Sequence, residues 1–227
     1  MSEILTQLTS TTSGASVCKL GTGGVLTDPN NDARTWFYAH FYADGEGVLT
    51  ATSTPEANRQ LLASGRICAI GKYQALGFAP WDSTNRSQLT SATFAADMAS
   101  YQYLNLNYLF YSCNRLASVT GLGNLSDVHS MRFAFSSCGS LTTLDFRGFD
   151  PSTLTDLYYC FGGSSALTTI YADSTWSLPA SGLSGNSCFY NCRSLVGGNG
   201  TAWSSSNTGY AYMRIDATGT PGYLSVA

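Results

Sequence analysis

One phrase, repeated along the chain, restricts its possible folds more than any single residue does. Phe110-Tyr111-Ser112-Cys113-Asn114-Arg115-Leu116 returns as Phe135-Ser136-Ser137-Cys138-Gly139-Ser140-Leu141, as Phe161-Gly162-Gly163-Ser164-Ser165-Ala166-Leu167, and as Phe189-Tyr190-Asn191-Cys192-Arg193-Ser194-Leu195. From Phe110 to Phe135, Phe161 and Phe189 the steps are 25, 26 and 28 residues. Periods of this size mark solenoids, in which one unit cannot bury its own apolar face and several must stack to make a continuous core.

Read backwards from the phrase, each unit holds two apolar stretches separated by a polar turn. Leu141-Thr142-Thr143-Leu144-Asp145-Phe146 alternates polar and apolar residues with Thr enrichment, which predicts a short strand; Leu89 to Phe94 matches it two units earlier. Stacked units would pair these strands in parallel. The second stretch, Thr155-Asp156-Leu157-Tyr158-Tyr159-Cys160-Phe161, follows cap candidates and spaces Leu157, Cys160 and Phe161 at i, i+3 and i+4, which predicts a helical turn or two. The expectation is an α/β repeat: a right-handed solenoid of about four units with a parallel sheet, covering residues 81–195.

The flanks read differently. Residues 1–80 do not repeat: Trp36 to Tyr42 is an aromatic strand candidate, Thr54 to Gly65 carries Thr, Pro and Gly where a helix wants its N-cap, first residue and C-terminal stop, and Arg66 to Ile70 is a second strand candidate. This region is expected to be an N-terminal α+β cap or docking domain. Residues 196–227 are turn-rich with one plausible strand and are expected to cap the other end.

Charged residues make up 11% of the chain, against about 25% in ordinary globular proteins. A net charge of −3, with no basic stripe, argues against nucleic acid as a partner. No apolar run is long enough to cross a bilayer as a helix, and the acidic start Met1-Ser2-Glu3 lacks the apolar core of a classical secretory signal. Seven cysteines are an odd number; Cys113, Cys138 and Cys192 share one repeat position with Ser164, which points to a slot for a small buried side chain rather than a disulfide framework. Cys188 and Cys192 lack the His or second Cys pair of a zinc site.

The extended pattern from Leu141 to Phe161, with its Phe-x-x-Cys-x-x-Leu joints, resembles the BspA-type leucine-rich repeats of bacterial surface proteins. Gly197-Gly198-Asn199-Gly200-Thr201, Arg214-Ile215-Asp216 and Pro221-Gly222-Tyr223 resemble the ending that follows such arrays. The resemblance covers residues 81–227 and implies a leucine-rich-repeat-like fold. It also implies a non-enzymatic role in adhesion or host interaction, displayed outside the cell on a bacterial surface, with a host glycan or protein as partner. Related repeats occur in proteins encoded by phages of gut bacteria. The alternative expectation is therefore a virion component, a decoration or receptor-binding protein docked to other virion proteins through residues 1–80.

Enzyme chemistry finds little support in the sequence. The two histidines, His40 and His129, lie in different regions, and no Gly-x-Ser-x-Gly elbow occurs. Gly21-Thr22-Gly23-Gly24 lacks the Lys-Ser/Thr of a phosphate loop, and Asp28 to Asp32 lacks the Gly and Glu of a calcium loop. Neither a metal nor a cofactor is expected. What remains is the outward face of the predicted strands. If Val119, Leu144 and Ile170 point inward, the period of two places Ser91, Ser118, Thr143 and Thr169 on one outward ladder, and Thr93, Thr120, Asp145 and Tyr171 on another. Ser118, Thr120, Thr143, Asp145, Thr169 and Tyr171 are the candidate ligand-binding residues. Tyr101, Tyr103, Tyr108, Tyr111, Tyr158 and Tyr159, on the second stretches, form a rival contact surface.

Overall fold

A computed structural model describes the backbone of residues 36–41, 47–51, 67–72, 87, 89–94, 96, 99 and 104–226, with side chains for 87, 89–94, 96, 99 and 106–226. The expected helix at Thr54 to Gly65, the turn at Gly21 and the Asp28 to Asp32 segment lie outside the described residues.

Ten strands are described: β1 Trp36–Phe41, β2 Gly47–Ala51, β3 Ile67–Lys72, β4 Leu89–Phe94, β5 Leu104–Asn105, β6 Ser118–Thr120, β7 Val128–Ser130, β8 Thr143–Asp145, β9 Thr169–Tyr171 and β10 Leu224–Ser225. They form a five-stranded sheet in the order β3-β1-β2-β4-β6, a three-stranded sheet β10-β9-β8 and a two-stranded sheet β5-β7. The strands of successive units pair in parallel, Ala92 opposite Val119 and Leu144 opposite Ile170. The aromatic strand β1 pairs antiparallel with both β2 and β3, and β2 pairs in parallel with β4. Strands from residues 36–72 thus continue the sheet of the first repeat strand. At the other end β10 adds to β9, with Leu224 opposite Ile170.

The recurring phrase is the core. Phe110, Phe135, Phe161 and Phe189 are fully buried, as are Leu116, Leu141, Leu167 and Leu195. The Phe rings form a column with centroids 5.4, 5.8 and 5.3 Å apart, ending on the edge of Tyr223 at 5.0 Å. Offset and tilted rings at these distances add attraction beyond the area they bury.

The second stretch departs from the helix that its spacing predicts. It is a chain of hydrogen-bonded turns in which alternate amides leave the unit. Phe133, Phe135 and Ser137 donate to the carbonyls of Tyr158, Cys160 and Gly162 in the next unit, while Ala134 and Ser136 donate three residues back within their own. Tyr159, Phe161 and Gly163 repeat the pattern toward Asn186, Cys188 and Tyr190. A helix requires every amide to bond four residues back. It also excludes the left-handed residues found here at Tyr108 and Ser112, Phe133 and Ser137, and Ser187 and Asn191 (φ 54 to 60°). Such conformations cost a non-glycine residue about 1 to 2 kcal/mol each, which the inter-unit hydrogen bonds offset.

The Cys/Ser slot does more than hold a small side chain. Cys138 donates from Sγ to the Phe110 carbonyl at 3.1 Å, Ser164 from Oγ to the Phe135 carbonyl at 2.6 Å, and Cys192 from Sγ to the Phe161 carbonyl at 3.0 Å. Ser164 Oγ also accepts the Cys138 amide at 2.9 Å. The position selects a short side chain with a polar hydrogen, so that each unit is bonded to the carbonyl of the one before. We therefore expect Ser164→Cys to stay within about 1 kcal/mol of the parent, and Ser164→Ala to lose about 2 kcal/mol, by taking the hydroxyl from the buried Phe135 carbonyl and Cys138 amide. Chemical denaturation of both variants checks this; equal losses would show that the hydrogen bond is idle.

Candidate functional site

Strand alternation places the candidate residues as the period of two requires. Val119, Leu144 and Ile170 are buried; Ser118, Thr120 and Thr143 are exposed, and Asp145, Thr169 and Tyr171 are half-buried. Thr143 lies opposite Thr169 and Asp145 opposite Tyr171, while Ser118 and Thr120 lie opposite Ser91 and Thr93. The Thr93 and Thr120 hydroxyls are 3.1 Å apart. The six residues do not form one unbroken ladder: β6 closes the five-stranded sheet and β8 opens the three-stranded one, with no strand pairing between them.

The break has a local cause. After β6 the chain makes a short 3-10 turn, Leu122–Asn124, entered through Gly121 at φ 75°. A Cβ at Gly121 would lie 2.1 Å from the Phe94 carbonyl oxygen, and one at Gly123 would lie 2.1 Å from the Arg147 carbonyl oxygen. Glycine at both places lets the turn wedge against the units on either side. Asn124 is anchored there by donating from Nδ2 to the Phe94 carbonyl at 2.9 Å.

Between this turn and β8 lies an open concavity of about 380 Å³, walled by Thr120, Asn124, Asp145 and Arg147. Arg147 was not among the candidates drawn from sequence. Its signal was present: it follows the buried Phe146 and so continues the outward alternation one step past the strand. Its Nε donates to Asp145 Oδ1 at 2.9 Å and Oδ2 at 3.1 Å, Nη2 donates to Oδ2 at 2.5 Å, and its amide donates to Oδ1 at 3.0 Å. The guanidinium hydrogen bonds hold the Asp145 carboxyl below the usual carboxylate range. Arg147 also approaches the Tyr171 ring, its guanidinium carbon 5.8 Å from the centroid.

A second concavity of about 320 Å³ lies beside Asp150, Asp173 and Trp176. Its polar groups serve the fold: Asp173 accepts the Gly148 amide at 2.6 Å, and Trp176 donates from Nε1 to the Met213 carbonyl.

The tyrosines of the second stretches pack against one another. Tyr108, Tyr111, Tyr158 and Tyr159 are half-buried, as is Phe133 beside them, while the neighbouring Tyr190 is exposed. Tyr108 stacks on Phe133 at 4.8 Å and Tyr159 on Tyr190 at 5.2 Å. Rings stacked in this way cover one another's faces and present edges. Arg132 lies over Tyr158 at 4.3 Å and pairs with Asp156 at 3.3 Å. Tyr101 and Tyr103 lie outside the described residues.

His129, on β7, is 3.0 Å from Asp127 and belongs to the two-stranded sheet rather than to the candidate face. Cys113, Cys138, Cys160, Cys188 and Cys192 are buried, and Cys138, Cys160, Cys188 and Cys192 form no disulfide. Burial pushes Cys138, Cys160 and Cys188 well above the ordinary thiol range and Cys192 up to about 12, so these four stay protonated at neutral pH. Among the described residues no group of three or more His, Cys, Asp or Glu side chains converges as a metal set, and no helix is long and apolar enough to cross a membrane. Comparison with protein-family models, curated proteins and solved structures finds no match to the chain.

Proposed function

We propose that the chain is a non-enzymatic recognition module: a right-handed, leucine-rich-repeat-like solenoid, displayed outside the cell, that presents its polar strand face to a host glycan or protein. The observation that carries this reading is the side-by-side exposure of Thr120, Asp145, Arg147 and Tyr171 over buried Val119, Leu144, Phe146 and Ile170. A rigid apolar layer holds short hydroxyls, one ion pair and one aromatic ring in fixed relation. That is the composition of a surface that hydrogen-bonds and stacks on a polar partner.

The test is a binding screen of the full chain on immobilised host glycans and extracellular matrix proteins, repeated with the double variant Asp145→Ala/Tyr171→Ala. At least a tenfold loss of affinity is expected, with a melting temperature changed by only a few degrees because both side chains lie at the surface. Unchanged binding by the double variant would remove the strand face from consideration.

A further inference from the structure

We infer that the groove between Thr120 and the Asp145–Arg147 pair is a subsite for an uncharged sugar residue, held through adjacent hydroxyls; this rests on the recognition reading above. Charge is the first argument. Arg147 is already committed to Asp145 through three guanidinium contacts, so the pair is neutral as a unit. A phosphate, sulfate or carboxylate entering the groove would have to draw the guanidinium from a partner two residues away, and would face the Asp145 carboxylate at short range. An uncharged ligand meets neither penalty.

Hydrogen-bond chemistry is the second argument. The guanidinium keeps its Nη1 donors and one on Nη2, whereas Asp145 Oδ1 and Oδ2 each already accept two hydrogen bonds from Arg147. Sugar hydroxyls, each able to donate and accept, can accept from the guanidinium and donate to the Thr120 hydroxyl or the Asn124 amide oxygen, whereas an anion offers acceptors only. On the opposite wall stand the Thr120 hydroxyl and Asn124. Because the Asn124 Nδ2 group is held by the Phe94 carbonyl, the amide orientation is set and its acceptor oxygen is left for other partners.

Shape is the third. The concavity holds about 380 Å³ and is open to solvent, near the lower end of ordinary ligand sites, which suits one or two rings of a longer chain rather than an engulfed small molecule. It lies where the sheet is interrupted between β6 and β8, so the walls belong to different sheets and leave a cleft that an unbroken ladder would close.

The experiment is an array of neutral, sialylated and sulfated oligosaccharides probed with the full chain, Arg147→Leu and Asp145→Asn, with circular dichroism to show that each variant folds. The parent is expected to bind neutral oligosaccharides, and Arg147→Leu to lose that signal at least tenfold. Asp145→Asn releases the guanidinium and is expected to shift preference toward sialylated or sulfated oligosaccharides. A parent that prefers the anionic oligosaccharides, that binds only proteins, or whose neutral-sugar signal survives Arg147→Leu overturns this inference and leaves the recognition reading standing. A parent that binds neither oligosaccharide nor matrix protein overturns both.

Discussion

Phe135→Ala is expected to lower the unfolding free energy by about 4 kcal/mol, the upper part of the range for truncating a buried aromatic ring. Phe135 has 0% exposure. Its ring lies 5.4 Å from Phe110, 5.8 Å from Phe161 and 6.2 Å from Phe146, so truncation strips partners from both neighbouring units and from its own strand side. The cavity cannot close by sliding one unit toward the next, because the amides of Phe133, Phe135 and Ser137 fix the spacing to the following unit. Urea denaturation followed by circular dichroism measures the loss. The transition should also broaden or split, since units that contact only their neighbours unfold separately once the central interface is weakened. A loss below about 1.5 kcal/mol would show that the ring column is not what holds the units together.

Acid should destabilise the C-terminal segment through Asp216. This carboxylate is 7% exposed. It accepts the amides of Asn199 at 2.8 Å and Thr201 at 3.0 Å, the Thr201 hydroxyl at 2.6 Å and the Gly222 amide at 3.2 Å. Burial alone raises the carboxyl, but the hydrogen bonds from Thr201, Gly222 and Asn199 together outweigh it, and the pKa lies below the usual carboxylate value. A depressed folded-state pKa means that the unfolded chain binds the proton more readily. The contribution is therefore present above the unfolded value, about 3.9, and is lost as pH falls from there through the lower folded value. Asp216→Asn replaces one acceptor oxygen by a donor that faces amide hydrogens, and is expected to cost about 3 kcal/mol at pH 7. Melting curves of parent and variant from pH 7 to below 3 should converge at the acid end, because protonation removes from the parent what the substitution removes at every pH. An undiminished gap in acid would exclude the charge as the source of stability.

The buried layer was readable because it repeats. Phe, Leu and the Cys/Ser slot recur at one place in each unit, and each such place proved fully buried. The in-and-out alternation around Leu144 and Ile170 was equally plain, and with it the exposure of Thr143 and the half-exposure of Asp145, Thr169 and Tyr171. The helical reading of Leu157, Cys160 and Phe161 shows where spacing loses its meaning. A run of turns with a left-handed residue at Tyr159 buries the same three positions as a helix would, and only the destination of the amides tells the two apart. Those amides bond carbonyls 25 to 27 residues away, as in Phe133 to Tyr158 and Tyr159 to Asn186, beyond the reach of any local pattern.

The candidate groove divides in the same way. Asp145 and Tyr171 were accessible to sequence reasoning, since strand period alone turns them outward. Arg147 was missed because it sits past the strand's end, although it follows the buried Phe146 as Asp145 precedes it. Asn124 had no local signal: its place on the wall depends on Gly121 and Gly123 packing against Phe94 and Arg147, residues some 25 positions away on either side. The union of β2 with β4 in one sheet is likewise invisible in a region whose composition reads as separate from the array.

By itself, then, the amino-acid sequence determined the period, the buried column and the outward strand positions, because local alternation and repetition act through neighbouring residues. Tertiary structure decided the turn ladder, the interruption between β6 and β8 and the pairing of Arg147 with its surroundings. Each of these depends on backbone groups and side chains of different units meeting across space, where the free energy of a hydrogen bond or a close glycine contact has no counterpart in the linear pattern.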